Sequence, residues 1–109
     1  MRNPTPDEAR NLRALHDDAQ IASAEHDLLV IDLREKYGVA GQNAQLPMGK
    51  LEDDERAIIV KAEALGQRLG TQTRLFEIKL RRDCNVPSEA QLVNGQWHDP
   101  TTRKTYPGS

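Results

Sequence analysis

Apolar residues recur along positions 5–37 at alternating steps of three and four: Leu12, Leu15, Ala19, Ala22, His26, Leu29 and Leu33. That spacing predicts one face of a long helix. A second stripe, Ile21, Ala24, Leu28 and Ile31, lies on the far side of the same helix. Between the two runs an acidic line, Asp18, Glu25 and Asp32, at strict seven-residue spacing. One stripe satisfies one partner; a second stripe asks for a second partner.

The boundaries of this first helix are written in side-chain chemistry. Thr5 suits the N-cap, Pro6 sits where a missing N–H costs nothing, and Glu8 completes a Thr-x-x-Glu capping box. Arg34 and Lys36 suit the negative end of the dipole, and Gly38 can close the helix in a left-handed conformation. A helix over about 6–37 follows. Residues 38–50, with three glycines and a proline, predict a connecting loop, with Leu46 and Met48 tucked against the helix ends.

The pattern resumes over about 51–83, where Glu52, Asp53, Asp54 and Glu55 favour a helix start. The acidic run lacks the glycine and the spacing of a calcium loop. The expected stripe is Leu51, Ile58, Ala62, Leu65, Leu69, Thr73, Phe76 and Leu80. Gly66 and Gly70 interrupt it. They are compatible with a continuous helix, with a close crossing beside Ala19 and Ala22, or with a break at Gly70 capped by Thr71. The tail from 86 changes character: Asn94-Gly95 between short apolar pairs predicts a two-residue hairpin over 92–97. Asp99-Pro100 and Pro107-Gly108 add turns. Because a lone hairpin is marginal in water, Trp97, Val93 and Tyr106 either cover the helix ends or serve as a handle for a partner.

The predicted fold class is therefore mainly α: an antiparallel, coiled-coil-like helical hairpin over 1–85, followed by a tail over 86–109 that forms a short β-hairpin or stays extended. Charge favours folding back. Asp7, Glu8, Asp17 and Asp18 in the first half of helix one would meet Arg68, Arg74, Lys79, Arg81 and Arg82 in the second half of helix two. Such exposed pairs contribute about 0.2–1 kcal/mol each, so they select orientation more than they supply stability. One seam between two helices is marginal on its own. The face Ile21, Leu28 and Ile31, with Val60, Leu75 and Ile78 of helix two, is expected to be buried by a second copy or a larger protein.

Composition changes the picture in a few places. In 109 residues, 15 basic against 17 acidic side chains leave a net charge of −2, which gives no global pull toward nucleic acid or anionic lipid. The single cysteine, Cys84, excludes an internal disulfide and reads as a small semi-buried residue. No apolar run is long enough for a membrane span, and the first residues lack a signal-peptide core, so a cytoplasmic location is expected.

Candidate chemistry is thin. His16-Asp17 and Glu25-His26-Asp27 invite a metal or hydrolase reading, but helix neighbours point about 100° apart, and Ser23, Ala22 and Val30 occupy the positions from which a second ligand would reach His26. His26 fits a polar residue fixing register in a helix seam, with a pH-sensitive contact as the sharper reading. Arg74, Lys79, Arg81 and Arg82 form the candidate anion or nucleic-acid surface, against the plainer reading of dipole and ion-pair duty. No phosphate-binding loop, Cys-x-x-Cys or His-Glu-x-x-His motif occurs. No catalytic, cofactor-binding or metal-binding residue is assigned.

In general layout the chain resembles the small helical-hairpin proteins of bacteriophage and mobile-element genomes, a likeness of architecture without a diagnostic motif. It implies a virion assembly part, an adaptor or an inhibitor of a host machine. The function expected is a non-enzymatic interaction module that self-associates and presents its tail to a larger partner. The alternative is a small nucleic-acid-binding regulator using the Arg74–Arg82 surface.

Overall fold

A computed structural model describes residues 1–39 and 45–106. The order is α1 (Pro6–Lys36), a 3-10 turn (Met48–Lys50), α2 (Asp53–Cys84), β1 (Gln91–Val93), β2 (Gln96–His98) and β3 (Thr105–Tyr106). The two long helices pack together as an antiparallel hairpin, and the strands form a small antiparallel sheet in the order β1-β2-β3. The chain divides into two compact units, one of residues 1–16 with 71–109 and one of residues 17–70.

Both helices start and stop as their end chemistry dictates. The Thr5 hydroxyl accepts from the Glu8 N–H at 3.1 Å while Glu8 Oε1 accepts from the Thr5 N–H at 2.9 Å, a reciprocal capping box. Gly38, at φ +67°, closes α1: its N–H donates to the Glu35 carbonyl and that of Val39 to the Arg34 carbonyl. Asn85, at φ +57°, closes α2 in the same way through the Arg82 and Arg81 carbonyls, two residues before Pro87. At the start of α2, Glu55 Oε1 accepts from the Glu52 N–H at 3.0 Å. The acidic run is a helix start.

In the unit of residues 17–70, α1 turns Ala22 inward, with Ala19, His26, Leu29 and Leu33 half-buried beside it. Ile59 and Leu51 are the buried residues on the other side, Leu51 lying just before α2. The α2 stripe follows the expected one at Leu51, Ala62, Leu69, Thr73, Phe76 and Leu80 and shifts by one residue at Ile58 and Leu65. Ile58 and Leu65 stay exposed, and Ile59, Ala62, Gly66 and Leu69 face inward. The shift follows from the three-four rhythm of Leu80, Phe76, Thr73 and Leu69, which reaches 66, 62 and 59 when continued back.

α2 runs unbroken through Gly66 and Gly70. Of the three arrangements the glycines are compatible with, the continuous helix is the one observed, and a Cβ at either glycine would meet nothing within 4 Å. Of the loop residues placed against the helix ends, Leu46 is half-buried, whereas Met48 is exposed. The expected loop at 40–44 and the Pro107-Gly108 turn lie outside the described residues.

In the unit of residues 1–16 and 71–109, Leu12, Leu80, Cys84, Ala90 and Trp97 form the core, with Phe76, Val86, Leu92 and Tyr106 packed against it. The Arg2 N–H donates to the Cys84 carbonyl, so the chain start is tied to the end of α2. Asn94 and Gly95 adopt φ +52° and +80°, the double left-handed turn that matches strand twist, and Val93 pairs with Gln96 across it. The third strand was not expected. Asp99 builds the turn that returns it: its carboxylate accepts from the N–H groups of Thr101 and Thr102 and from the Tyr106 hydroxyl.

The electrostatic pairing also differs from expectation. Among the described residues no carboxylate of Asp7, Glu8, Asp17 or Asp18 meets a basic residue of α2; Glu8 pairs with Arg2, and Asp7 with Arg10. The polar contacts that cross between helices are the His16 imidazole with Glu77 and the Lys36–Glu55 ion pair, each at 2.7 Å. Asp7 takes its neighbour Arg10 because an i,i+3 pair needs less ordering than one across a seam.

Gly70→Ala should raise stability by about 1 kcal/mol, since it fills open space at a helix-interior position; thermal denaturation should show a rise of a few degrees. Glu55 is held at about 2, below its ordinary 4.5, first by the Lys36 ammonium, then by the Tyr37 hydroxyl and the Glu52 N–H. A lowered carboxylate contributes stability above its unfolded value and loses it as pH falls. Between pH 4.5 and about 2 the wild type should therefore lose melting temperature more steeply than Glu55→Gln.

Candidate interaction surfaces

Three sets of residues carried functional expectations, and the helices treat them differently. In the unit of residues 17–70, Ile21, Leu28 and Ile31 of α1 are 54%, 60% and 46% exposed. A helix packed on one neighbour can turn only one stripe inward, and here Ala22 and Leu29 take it. In the same unit Ile58, Val60 and Leu65 of α2 are also exposed. In the other unit Leu75 and Ile78 remain in the open.

The acidic line Asp18, Glu25 and Asp32 lies beside the exposed α1 stripe, and none of the three makes an ion pair among the described residues. Lys61 and Arg68, seven apart on α2, are likewise exposed and without an ion pair there. Unneutralised charge of both signs thus flanks the exposed apolar residues.

The basic set does not stay together. Arg81 is turned inward: its Nε donates to the Ala90 carbonyl at 2.8 Å, its guanidinium approaches Glu77 at 3.4 Å, and it lies 5.7 Å from the centre of the Trp97 ring. Arg82 pairs with Asp83 at 3.3 Å. Arg74 and Lys79 are exposed, but five positions apart they point about 140° from each other on the helix. The Glu77 contact is the i,i+4 ion pair that the helix spacing already offered, whereas the hold on the Ala90 carbonyl and the Trp97 ring comes from the segment after α2, which a helix-only reading of 74–82 does not contain.

Of the two readings of the tail, the covering one describes Trp97, which is 1% exposed and fills the core of its unit. Its backbone N–H donates to the Asn3 side chain at 3.2 Å. Tyr106 is half-buried against that core, with its hydroxyl on Asp99. Neither ring projects as a handle. His26 is half-buried on the inward stripe, with Asp27 at 3.9 Å. Among the described residues no group of three or more His, Cys, Asp or Glu side chains is placed to hold a metal ion.

A further feature is a cavity of about 910 Å³ in the unit of residues 1–16 and 71–109. Its lining includes Arg10, Arg13 and His16 of α1, Arg81 of α2, Leu92 of β1 and Trp97 of β2. The three α1 residues recur at steps of three, a signal present in the sequence but without meaning until β1 is placed opposite.

Among the described residues, no helix is long and apolar enough to cross a membrane. No protein-family model, curated protein or solved structure matches the chain.

Proposed function

We propose that this chain is a non-enzymatic assembly module, a helical hairpin that self-associates through outer faces of its helices. The observation that carries the reading is the exposure of Ile21, Leu28 and Ile31 at helical spacing on α1. A scattered exposed leucine needs no explanation, but a repeated stripe of large aliphatic side chains does. Each of these half-exposed side chains stands to contribute about 1 kcal/mol when a partner covers it.

A second copy is the favoured partner because the charges on this unit are self-complementary. A two-fold interface lets the acidic line of α1 in one copy meet Lys61 and Arg68 in the other, twice over. Pairing of that kind fixes register, while the aliphatic residues supply affinity. A virion part, an adaptor and an inhibitor would all use such a module, and a phosphate-binding surface is the less favoured reading because Arg81 and Arg82 are already engaged.

Light scattering on a sizing column at two concentrations tests this. The wild type should give a stable multiple of 12.2 kDa in physiological and in high salt. Leu28→Ala combined with Ile31→Ala should dissociate it to 12.2 kDa with helicity retained. A wild-type monomer, or an unchanged mass in the double variant, overturns the proposal.

A further inference from the structure

The cavity between α1 and the sheet has the attributes of a binding groove, and it lies within the unit of residues 1–16 and 71–109. Leu12 and Trp97, both nearly fully buried, form its base, and Leu92 lies half-buried against them. Arg10, Arg13 and His16 of α1 line it on the helix side. On the other side is β1, an edge strand bonded only to β2.

The register of β1 decides what that edge offers. Val93 and Gln96 close the two-residue turn, which makes them the pair that exchanges backbone hydrogen bonds. Leu92, opposite Trp97, is then a non-bonded position, and its N–H and C=O face away from β2. The Trp97 N–H agrees with this, since it donates to Asn3 rather than across to Leu92. An unpaired edge strand beside a helix is the geometry in which an extended peptide adds as a further strand.

The charge is one-sided. Glu77, the carboxylate in the lining, is already held by His16 at 2.7 Å and Arg81 at 3.4 Å. Arg10 has only a loose exposed pair with Asp7 at 3.3 Å, and Arg13 makes no ion pair among the described residues. We propose that this groove docks an extended acidic peptide of a partner protein, which pairs with Leu92 as a fourth strand and sets its carboxylates against Arg10 and Arg13. A nucleic acid fits less well: the one tryptophan is buried beneath the groove and offers no face for base stacking. Leu28 and Ile31 of the self-association face belong to the other unit and do not line the groove.

The buried Trp97 is the chain's single tryptophan and serves as the reporter. The full-length protein would be titrated with an acetylated, amidated heptapeptide alternating glutamate and valine. Controls are the lysine–valine counterpart and sodium decanoate. The acidic peptide should give a saturable change in Trp97 fluorescence and slow hydrogen exchange at the Leu92 amide. The lysine peptide should bind at least tenfold more weakly. Arg13→Glu, an exposed change that leaves the fold intact by circular dichroism, should weaken the acidic peptide tenfold or more. Leu28→Ala combined with Ile31→Ala should leave peptide binding unchanged even if self-association fails. No saturable response to the acidic peptide at millimolar concentration overturns the proposal. So does equal binding of both peptides, an unaffected Arg13→Glu variant, or binding of decanoate alone.

Discussion

Two helices laid side by side can each hide one stripe, and everything else about this protein is arranged around that limit. Ala22 and Ile59 are buried on the shared seam of their unit, while Ile21, Leu28 and Ile31 have no place on it. The limit is geometric and cannot be relieved by repacking, because residues three and four apart share a face and residues two apart do not. Large aliphatic side chains therefore stand on both faces of α1, and the hairpin covers those of one face.

The sheet meets the same limit by another route. In the unit of residues 1–16 and 71–109, the hairpin has Leu12, Leu80 and Cys84 to cover and, among the described residues, no third helix to cover them. Trp97 does so. A strand pair this short is marginal alone, yet it gains from burying a whole indole, and the sheet is held further by Asn3 on the Trp97 N–H and Arg81 on the Ala90 carbonyl. Arg81 ties α2, through its contacts with Glu77, Ala90 and Trp97, to the segment that follows, and Glu77 carries the link on to His16 of α1. The residues that looked like a basic surface and a protruding handle are thus partly spent on closing this core.

What was legible in the sequence was whatever one residue's own neighbours decide. The Thr5–Glu8 capping box, the Gly38 terminus and the Asn94-Gly95 turn are local devices, and each stands where its residues put it. The two helices and the inward stripe of α1 were equally readable. The α2 seam was readable at Leu51, Ala62, Leu69, Thr73, Phe76 and Leu80 but not at Ile58 and Leu65, because Ile58 and Ile59 are adjacent isoleucines and hydrophobicity alone cannot choose between them. The choice depends on phase inherited from Leu69 and Thr73, which brings Gly66 inward in place of Leu65. The third strand was hidden for a different reason: Thr105–Tyr106 is two residues long, and its signal is the Asp99 turn rather than any alternation. Inter-helix ion pairs were misjudged since net charge by segment says nothing about which carboxylate lies level with which cation.

The groove beside β1 shows why a site made this way escapes sequence reading. Arg10 and Arg13 lie on the outside of α1 and would pass for a solvated face. They acquire a direction only when the tail folds back and leaves the Leu92 backbone unpaired across from them. Three short strands cannot close on themselves, so an edge must remain, and edges left open next to apolar surface invite pairing with another chain. Native sheets commonly protect such an edge with charge, and Arg10 and Arg13 supply it: they repel a basic strand and admit an acidic one. Protection of the edge and selection of what may occupy it are then one property of the same two arginines.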